Sequence, residues 1–485
     1  MRYSLLYLRE SSKSAGSVSE KALFDLSVDR VFARICTDTE RRERFLQVLA
    51  HPLCDMDAII YRQDILKDFV SSSELIERLL SISLRFRELE ASHKALQREA
   101  RTLKRAGTAS RDASKNILQA QSLCLKRALM FVKAFGEALC GYDLHSKGLL
   151  ALRSFCTEMY GKKEYAELVK LCTKYESFSE RGYWDFRFVF NDDGYIESYD
   201  LTDHRFIRIT DPELKRKGLS FRRKREESYP CARLYPKNDG YFDSLAVSAL
   251  SELSMLFSGI SEQIFDSLGS LDRELEFYSV ALKYIDALCE RNAPISYPVI
   301  SNDGEITVRT LYDTYLLISG KDISHIVPND LILGAGGGGM LVFGDNGSGK
   351  TVYLRSVATM QILAAAGLPI PCTSAKIALF SKIATHFSES EDIAREKDCA
   401  GRFEAEVRKL SQTVDELVPG TFVFLNEVFQ STDYSEGAEA LIYLLEHFSA
   451  MNIRWMLVSH LTQLENRLSP TDVTVRYATE NYKIK

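Results

Sequence analysis

Leu341-Val-Phe-Gly344-Asp-Asn-Gly-Ser-Gly-Lys350-Thr351 decides how this 485-residue chain is read. Three apolar residues of buried-strand type run into a segment that matches G-x-x-x-x-G-K-[ST]. A helical pattern follows from about Lys350 to Ala366, closed by Gly367 and Pro369. The glycines let the backbone fold its N–H groups around phosphate oxygens, and the start of the helix adds positive potential at the same point. Gly344, Asp345, Asn346, Gly347, Ser348 and Gly349 would line that cradle. Lys350 would reach the β- and γ-phosphates, and the Thr351 hydroxyl would ligate Mg²⁺. The ligand read from this stretch is ATP with Mg²⁺. Gly334-Ala-Gly-Gly-Gly-Gly339 lies before the strand, so it is a loop and not a dinucleotide-binding turn.

Two more short apolar runs, Thr421-Phe-Val-Phe-Leu425 and Arg454-Trp-Met-Leu-Val458, have the texture of strands buried on both faces. Each ends in polar residues. A phosphate-binding loop that supports hydrolysis needs a carboxylate on a neighbouring strand for the Mg²⁺ shell and an acid to orient the attacking water. Glu427 fits the second role, while the first position holds Asn426, which accepts a hydrogen bond but carries no charge. Loss of an outer-shell partner costs about 10–100-fold in metal affinity or activity, so slow hydrolysis is expected. His460, after the third strand, stands where a γ-phosphate sensor would be. A lone histidine after a strand is more often structural, and its support here is the order of the three motifs.

Outward from this core the chain is long enough for two or three domains. Its composition is 45% apolar and 27% charged with a net charge of −5, and no apolar run approaches the roughly 20 residues of a bilayer span. Ten cysteines are scattered singly without a C-x-x-C, which argues for a reducing cytoplasm and against a zinc site or disulfide framework. Leu75, Leu79, Ile82, Phe86, Leu89, His93, Leu96, Ala100 and Leu103 follow a heptad spacing. So does a second run from Leu250 and Leu253 through Leu268, Leu271 and Tyr278 to Cys289, predicted as a single helix of about 60 Å. Two antiparallel coiled-coil-like arms are one reading, and core helices of a globular bundle are the other. Between them Trp184, Phe186, Phe188 and Phe190 alternate with other residues before the turn Asn191-Asp-Asp-Gly194, and a second β-rich stretch follows. A basic run then supplies Lys215, Arg216, Lys217, Arg222, Arg223, Lys224 and Arg225, read either as phosphate contacts to nucleic acid or as a solvated loop beside Glu226 and Glu227.

The order of these motifs resembles the MutS family of DNA mismatch-repair ATPases. Ile326-Val-Pro-Asn329-Asp330 is similar to a family segment near the adenine, which makes Asn329 a candidate ATP contact. Lys350-Thr-Val-Tyr-Leu-Arg355 resembles the start of the family's phosphate-loop helix. Phe424-Leu-Asn-Glu-Val-Phe-Gln-Ser-Thr-Asp433 with Tyr434-Ser-Glu-Gly437 is similar to its magnesium strand and the loop behind it. His51-Pro-Leu-Cys-Asp-Met-Asp-Ala-Ile59, with Arg62 and Asp64, looks like the start of its core and lever. The resemblance implies a homodimer in which ATPase heads meet and lever arms end in clamps around double-stranded or branched DNA. The family's serine that reaches the partner's γ-phosphate falls on Gly401, with Arg402 beside it. On this comparison the chain has no N-terminal mismatch-reading domain, no C-terminal helical dimerisation segment and no nuclease domain.

The expected fold is α+β and multidomain. A mostly helical core and lever occupies residues 1–292, with a β-containing tip at about 160–245, and an α/β phosphate-loop ATPase domain occupies 293–485. The expected function is an ATP-dependent DNA clamp with weak ATPase activity, dimeric, cytoplasmic and free of membrane. A nucleotide-binding scaffold that hardly hydrolyses ATP is the alternative, motivated by Asn426 and Gly401. The ATPase subunit of a transporter is a third reading, disfavoured by the long upstream helices.

Overall fold

Continuous apolar runs stay ordered in water only when both faces of the strand are covered, and that requirement organises the C-terminal half of this computed structural model. The structure describes residues 3–8, 16–106, 110–176, 182–190, 196–206, 231–234, 240–335, 338–387, 399–429, 434–464, 467 and 473–485. In chain order the first elements are β1 (Ser17–Val18), α1 (Glu20–Asp25), α2 (Val28–Ile35), α3 (Thr39–Ala50) and α4 (Met56–Ser71). Next come α5 (Ser73–Ala106), α6 (Arg111–Cys140), α7 (Lys147–Gly161), α8 (Lys163–Glu176), β2 (Gly182–Phe190), β3 (Ile196–Phe206) and β4 (Cys231–Leu234). Then follow α9 (Gly240–Leu268), α10 (Leu271–Glu290), β5 (Val299–Ser301), β6 (Ile306–Leu311), α11 (Thr314–Ile318), β7 (Asn329–Leu333) and β8 (Gly339–Phe343). The chain continues through α12 (Lys350–Ala365), β9 (Ser374–Ala378), β10 (Lys382–Phe387), α13 (Cys399–Asp415), β11 (Thr421–Asn426), α14 (Tyr434–Ala450), β12 (Arg454–Val458) and β13 (Val473–Tyr477). These elements form two units. One comprises Ser81–Gly141 and Leu152–Asp272 with Tyr3; the other comprises Ser4–Leu80, Tyr142–Ala151 and Arg273–Lys485.

The larger unit carries a six-stranded sheet in the order β1-β10-β11-β12-β8-β13. All its pairings are parallel. Leu341, Phe343, Val423, Leu425, Trp455 and Leu457 belong to one apolar cluster with Leu410 of α13 and Leu441, Leu445 and Phe448 of α14. Side chains alternate across a sheet, so Met340, Val342, Phe422, Phe424, Met456 and Val458 serve the other face, where α12 packs. The three runs recognised as buried strands are indeed β8, β11 and β12. Their order differs from expectation: β12 lies between the phosphate-loop strand β8 and the Asn426 strand β11, which are not neighbours. A second, four-stranded sheet, β5-β9-β6-β7, mixes parallel and antiparallel pairs.

Helix α12 is pinned at both ends within this unit. Near its start Arg355 donates to Asp313 from Nε and Nη2 at 3.0 Å each, and the Ser356 hydroxyl adds a third bond to the same buried carboxylate. Beyond its last turn the buried Arg62 guanidinium donates to the Ala366 carbonyl at 3.3 Å and to the Leu6 carbonyl at 2.7 Å. A cation at the carbonyl end of a helix opposes the negative pole there.

In the other unit, the first heptad seam lies in α5 and is buried at Phe86, Leu89 and His93, then half-buried at Leu96, Ala100 and Leu103. Phe86 meets Phe131 and Phe135 of α6 and Phe265 of α9. The Tyr165 hydroxyl of α8 donates to the Leu129 carbonyl of α6, and Tyr175 packs edge-on against Phe257 of α9. Helices α5, α6, α8 and α9 therefore share one apolar interior. The second seam is not one helix. It breaks after Leu268, and α10 begins at Leu271. Gly269 is the weak point: its N–H closes back on the Phe265 carbonyl at 2.7 Å, and a Cβ there would sit 2.5 Å from that oxygen. The alternating aromatic stretch forms β2, paired antiparallel with β3 and with β4 in a three-stranded sheet. The basic run from Lys215 to Arg225 lies outside the described residues. Among the described residues no helix is long and apolar enough to cross a membrane.

Candidate functional site

Parallel strands bring their carboxyl ends to one edge, and here the registers align three of them. Val342 of β8 stands level with Val458 of β12, and Val458 with Asn426 of β11. The residues just beyond each strand therefore converge outside that edge, where open α/β sheets bind their ligands.

The loop after β8 turns on glycines with positive φ, +82° at Gly347 and +94° at Gly349, the latter preceding the first residue of α12. No side chain caps α12, which leaves its first backbone N–H groups directed into the loop. Lys350 is buried and donates to the carbonyls of Gly344 at 2.7 Å and Asp345 at 2.8 Å. Burial lowers its pKa, and the nearby charges of Glu427 and Asp345 oppose that shift. The Ser348 hydroxyl is buried and has no hydrogen-bond partner among the described residues. An uncapped helix start, a buried ammonium and an orphaned hydroxyl around one loop fit a polyphosphate, whose oxygens accept from all three. Asp345, Asn346 and Gly347 line the exposed outer turn.

The Thr351 hydroxyl donates to Asn426 Oδ1 at 3.0 Å, so the residues expected to share the Mg²⁺ shell are joined. Glu427 follows with φ +54°; its N–H donates to the Val458 carbonyl at 2.9 Å, and Oε1 lies 2.9 Å from His460 Nε2. Lys350, Thr351, Asn426, Glu427 and His460, chosen on sequence grounds, thus occupy one sheet edge. Asn329 is placed differently. Its amide donates to the Tyr482 carbonyl at 3.1 Å and accepts from the Ile484 N–H at 2.8 Å, so it anchors the turn after β13. That turn flanks the loop: a Cβ on Gly349 would approach the Tyr482 ring to 3.3 Å.

Two participants escaped the sequence reading. The turn after β13 has no local motif to mark it. Glu406, one of three acids on α13, reaches the loop beyond β11 and accepts from the Phe429 N–H at 2.7 Å. Gly401 and Arg402 fall in the first turns of α13.

A glycine loop between a parallel strand and a helix thus faces polar residues at the ends of two further strands, in an α+β fold with a parallel sheet. Residues 340–482 match the family model MutS domain V. The chain is similar to a DNA mismatch repair protein MutS of Methanosarcina mazei, 25% identical over 238 residues, which are 47% of this chain and 26% of that protein. It is also similar to proteins named endonuclease MutS2. That of Finegoldia magna is 24% identical over 221 residues (44% of this chain, 27% of that protein). That of Gemmatimonas aurantiaca is 29% identical over 210 residues (43% and 24%). The chain is thus similar to the MutS-like family, with the family-model match confined to residues 340–482, and the alignments span about a quarter of these relatives' length.

Proposed function

We propose that this chain is an ATP-dependent DNA-binding clamp of MutS type, with weak ATPase activity, that responds to the shape of DNA and acts as a dimer through its ATPase heads. The observation that carries the reading is the joined set of Lys350, Thr351, Asn426, Glu427 and His460 at one sheet edge. Thr351 and Asn426 would hold the shell of Mg²⁺, which when bound neutralises charge on the β- and γ-phosphates. Lys350 would exchange its two loop carbonyls for phosphate oxygens, and Ser348 would gain an acceptor. Glu427 would orient the attacking water and take its proton on Oε2, while His460 holds Oε1. Asn426 supplies no charge to the metal shell, so turnover is slow and the nucleotide acts as a lasting state signal.

The names of the relatives support DNA as the partner, and a helical unit that also bears a three-stranded sheet is compatible with a lever and clamp. Shape recognition, in junctions or bent duplex, is favoured because contacts through phosphates carry no base information. We assign residues 1–292 to the core and lever, about 160–245 to the tip and 293–485 to the ATPase domain, in a cytoplasmic protein. The test is binding of linear, mismatched and four-way-junction DNA across a salt series, with and without ATP. Salt-sensitive binding is expected. Its absence on every DNA would overturn the clamp and leave the second reading, a dimeric nucleotide-binding scaffold, which Asn426 favours.

A further inference from the structure

We propose that Glu406 is a positioning residue that couples helix α13 to the catalytic carboxylate Glu427. The inference rests on the reading of Glu427 as the residue that orients the attacking water. Strand β11 ends at Asn426, and the three residues that follow include two with left-handed backbone, Glu427 at φ +54° and Phe429 at φ +63°. Non-glycine residues in that region cost about 1–2 kcal/mol each and persist only where the surroundings over-determine them.

The Glu427 N–H is held by the Val458 carbonyl at 2.9 Å, and the Phe429 ring is buried in the apolar cluster beneath α13 and α14. The Phe429 N–H donates to Glu406 Oε1 at 2.7 Å. A buried N–H without an acceptor is strongly disfavoured, and a carboxylate acceptor gives a short, charge-assisted bond. Glu406 therefore holds the backbone at Phe429, as Val458 holds it at Glu427. From the backbone held between these two ties, Glu427 Oε1 lies 2.9 Å from His460 Nε2. Glu406 stands on α13, whose first turns carry Gly401 and Arg402. A movement of α13 reaches Glu427 through the hydrogen bond between Glu406 and the Phe429 N–H and the backbone that joins Phe429 to Glu427. The reaction is thus coupled to the position of a helix whose own residues need not touch the nucleotide.

The test is steady-state and single-turnover ATP hydrolysis on the full chain for Glu406→Ala, Glu406→Asp, Glu406→Gln and Glu427→Gln, with thermal melting of each. Displacements of about 1 Å at a reacting group cost on the order of 100-fold, so kcat of Glu406→Ala should fall about 10–100-fold. Its KM for ATP should stay within about twofold, because nothing in the phosphate loop changes. Glu406→Gln keeps an acceptor oxygen in place and should retain kcat within about threefold of wild type. Glu406→Asp withdraws the acceptor by one methylene and should behave like the alanine variant, which covers the case in which Glu406→Ala does not fold. Wild-type kcat in both Glu406→Ala and Glu406→Asp, or a parallel loss of ATP affinity, would overturn the coupling while leaving Glu427 in its role. Equal impairment of Glu406→Gln and Glu406→Ala would also overturn it. Full activity of Glu427→Gln, or no turnover by the wild type, would remove the assignment of Glu427 and the coupling with it.

Discussion

Asn426→Asp should have opposite effects on the empty and the nucleotide-loaded protein. The side chain is 9% exposed at the end of β11, and its Oδ1 accepts the Thr351 hydroxyl at 3.0 Å. The substitution keeps that acceptor and replaces the amide nitrogen by a charged oxygen of nearly equal size. Without a cation, a carboxylate buried there loses water that the Thr351 hydroxyl only partly replaces, a cost of about 1–3 kcal/mol. For a unit of this size that lowers the melting temperature by a few degrees, at about 2–4 °C per kcal/mol. With Mg²⁺–ATP the same charge enters the metal shell. Restoring such a partner raises metal affinity or activity by about 10–100-fold. A coupled ATPase assay run beside thermal melts, with and without Mg²⁺–ATP, reads both effects. A lower melting temperature with unchanged turnover would refute the placement of Asn426 in the metal shell. Absence of turnover in both forms would instead favour the scaffold.

Other outcomes follow from the same geometry. Lys350→Ala removes the buried ammonium above Gly344 and Asp345 and should weaken ATP binding at least about 10-fold in a nucleotide titration, since charge-assisted bonds are worth about 1.5–3 kcal/mol. Gly339→Ala would place a Cβ 2.0 Å from the buried Trp455 ring, and overpacking of this kind costs about 1–3 kcal/mol or more in a denaturant titration. His386 is buried beside Lys21 and Lys409, with its pKa pushed down from 6.5 to about 4, chiefly by burial. The unfolded chain therefore binds more protons between those two values. Stability should be full above pH 6.5 and fall by about 3 kcal/mol as pH drops toward 4, and His386→Gln should flatten that slope in melts across the pH range.

What was legible in the sequence follows from the range of each interaction. The phosphate loop and the strands β8, β11 and β12 show because burial on both faces demands unbroken apolar runs, and the tight loop demands glycine at fixed spacing. Lys350, Thr351, Asn426, Glu427 and His460 were found because each lies at or just beyond the end of such a run. The position of β12 between β8 and β11 was not legible, since strand order is set by crossovers that leave no local trace. The break between α9 and α10 was hidden because Leu268 and Leu271 keep the three-residue step of the seam across it. Gly269 alone marked it, and one glycine within a helical pattern is weak punctuation. Glu406 and the turn that engages Asn329 act across long stretches of chain, through bonds that only the folded backbone brings within reach.

The measurement that tests the account most directly is the identity of the nucleotide bound to the wild-type protein over time. The protein is loaded with excess Mg²⁺–ATP, freed of unbound ligand, quenched at intervals and analysed for ATP and ADP. The account predicts ATP that stays bound and converts at a rate far below the ~10 s⁻¹ typical of enzymes, because Asn426 leaves the metal shell without its charge. Conversion of the bound ATP to ADP at ~10 s⁻¹, or failure to retain any nucleotide, would contradict it.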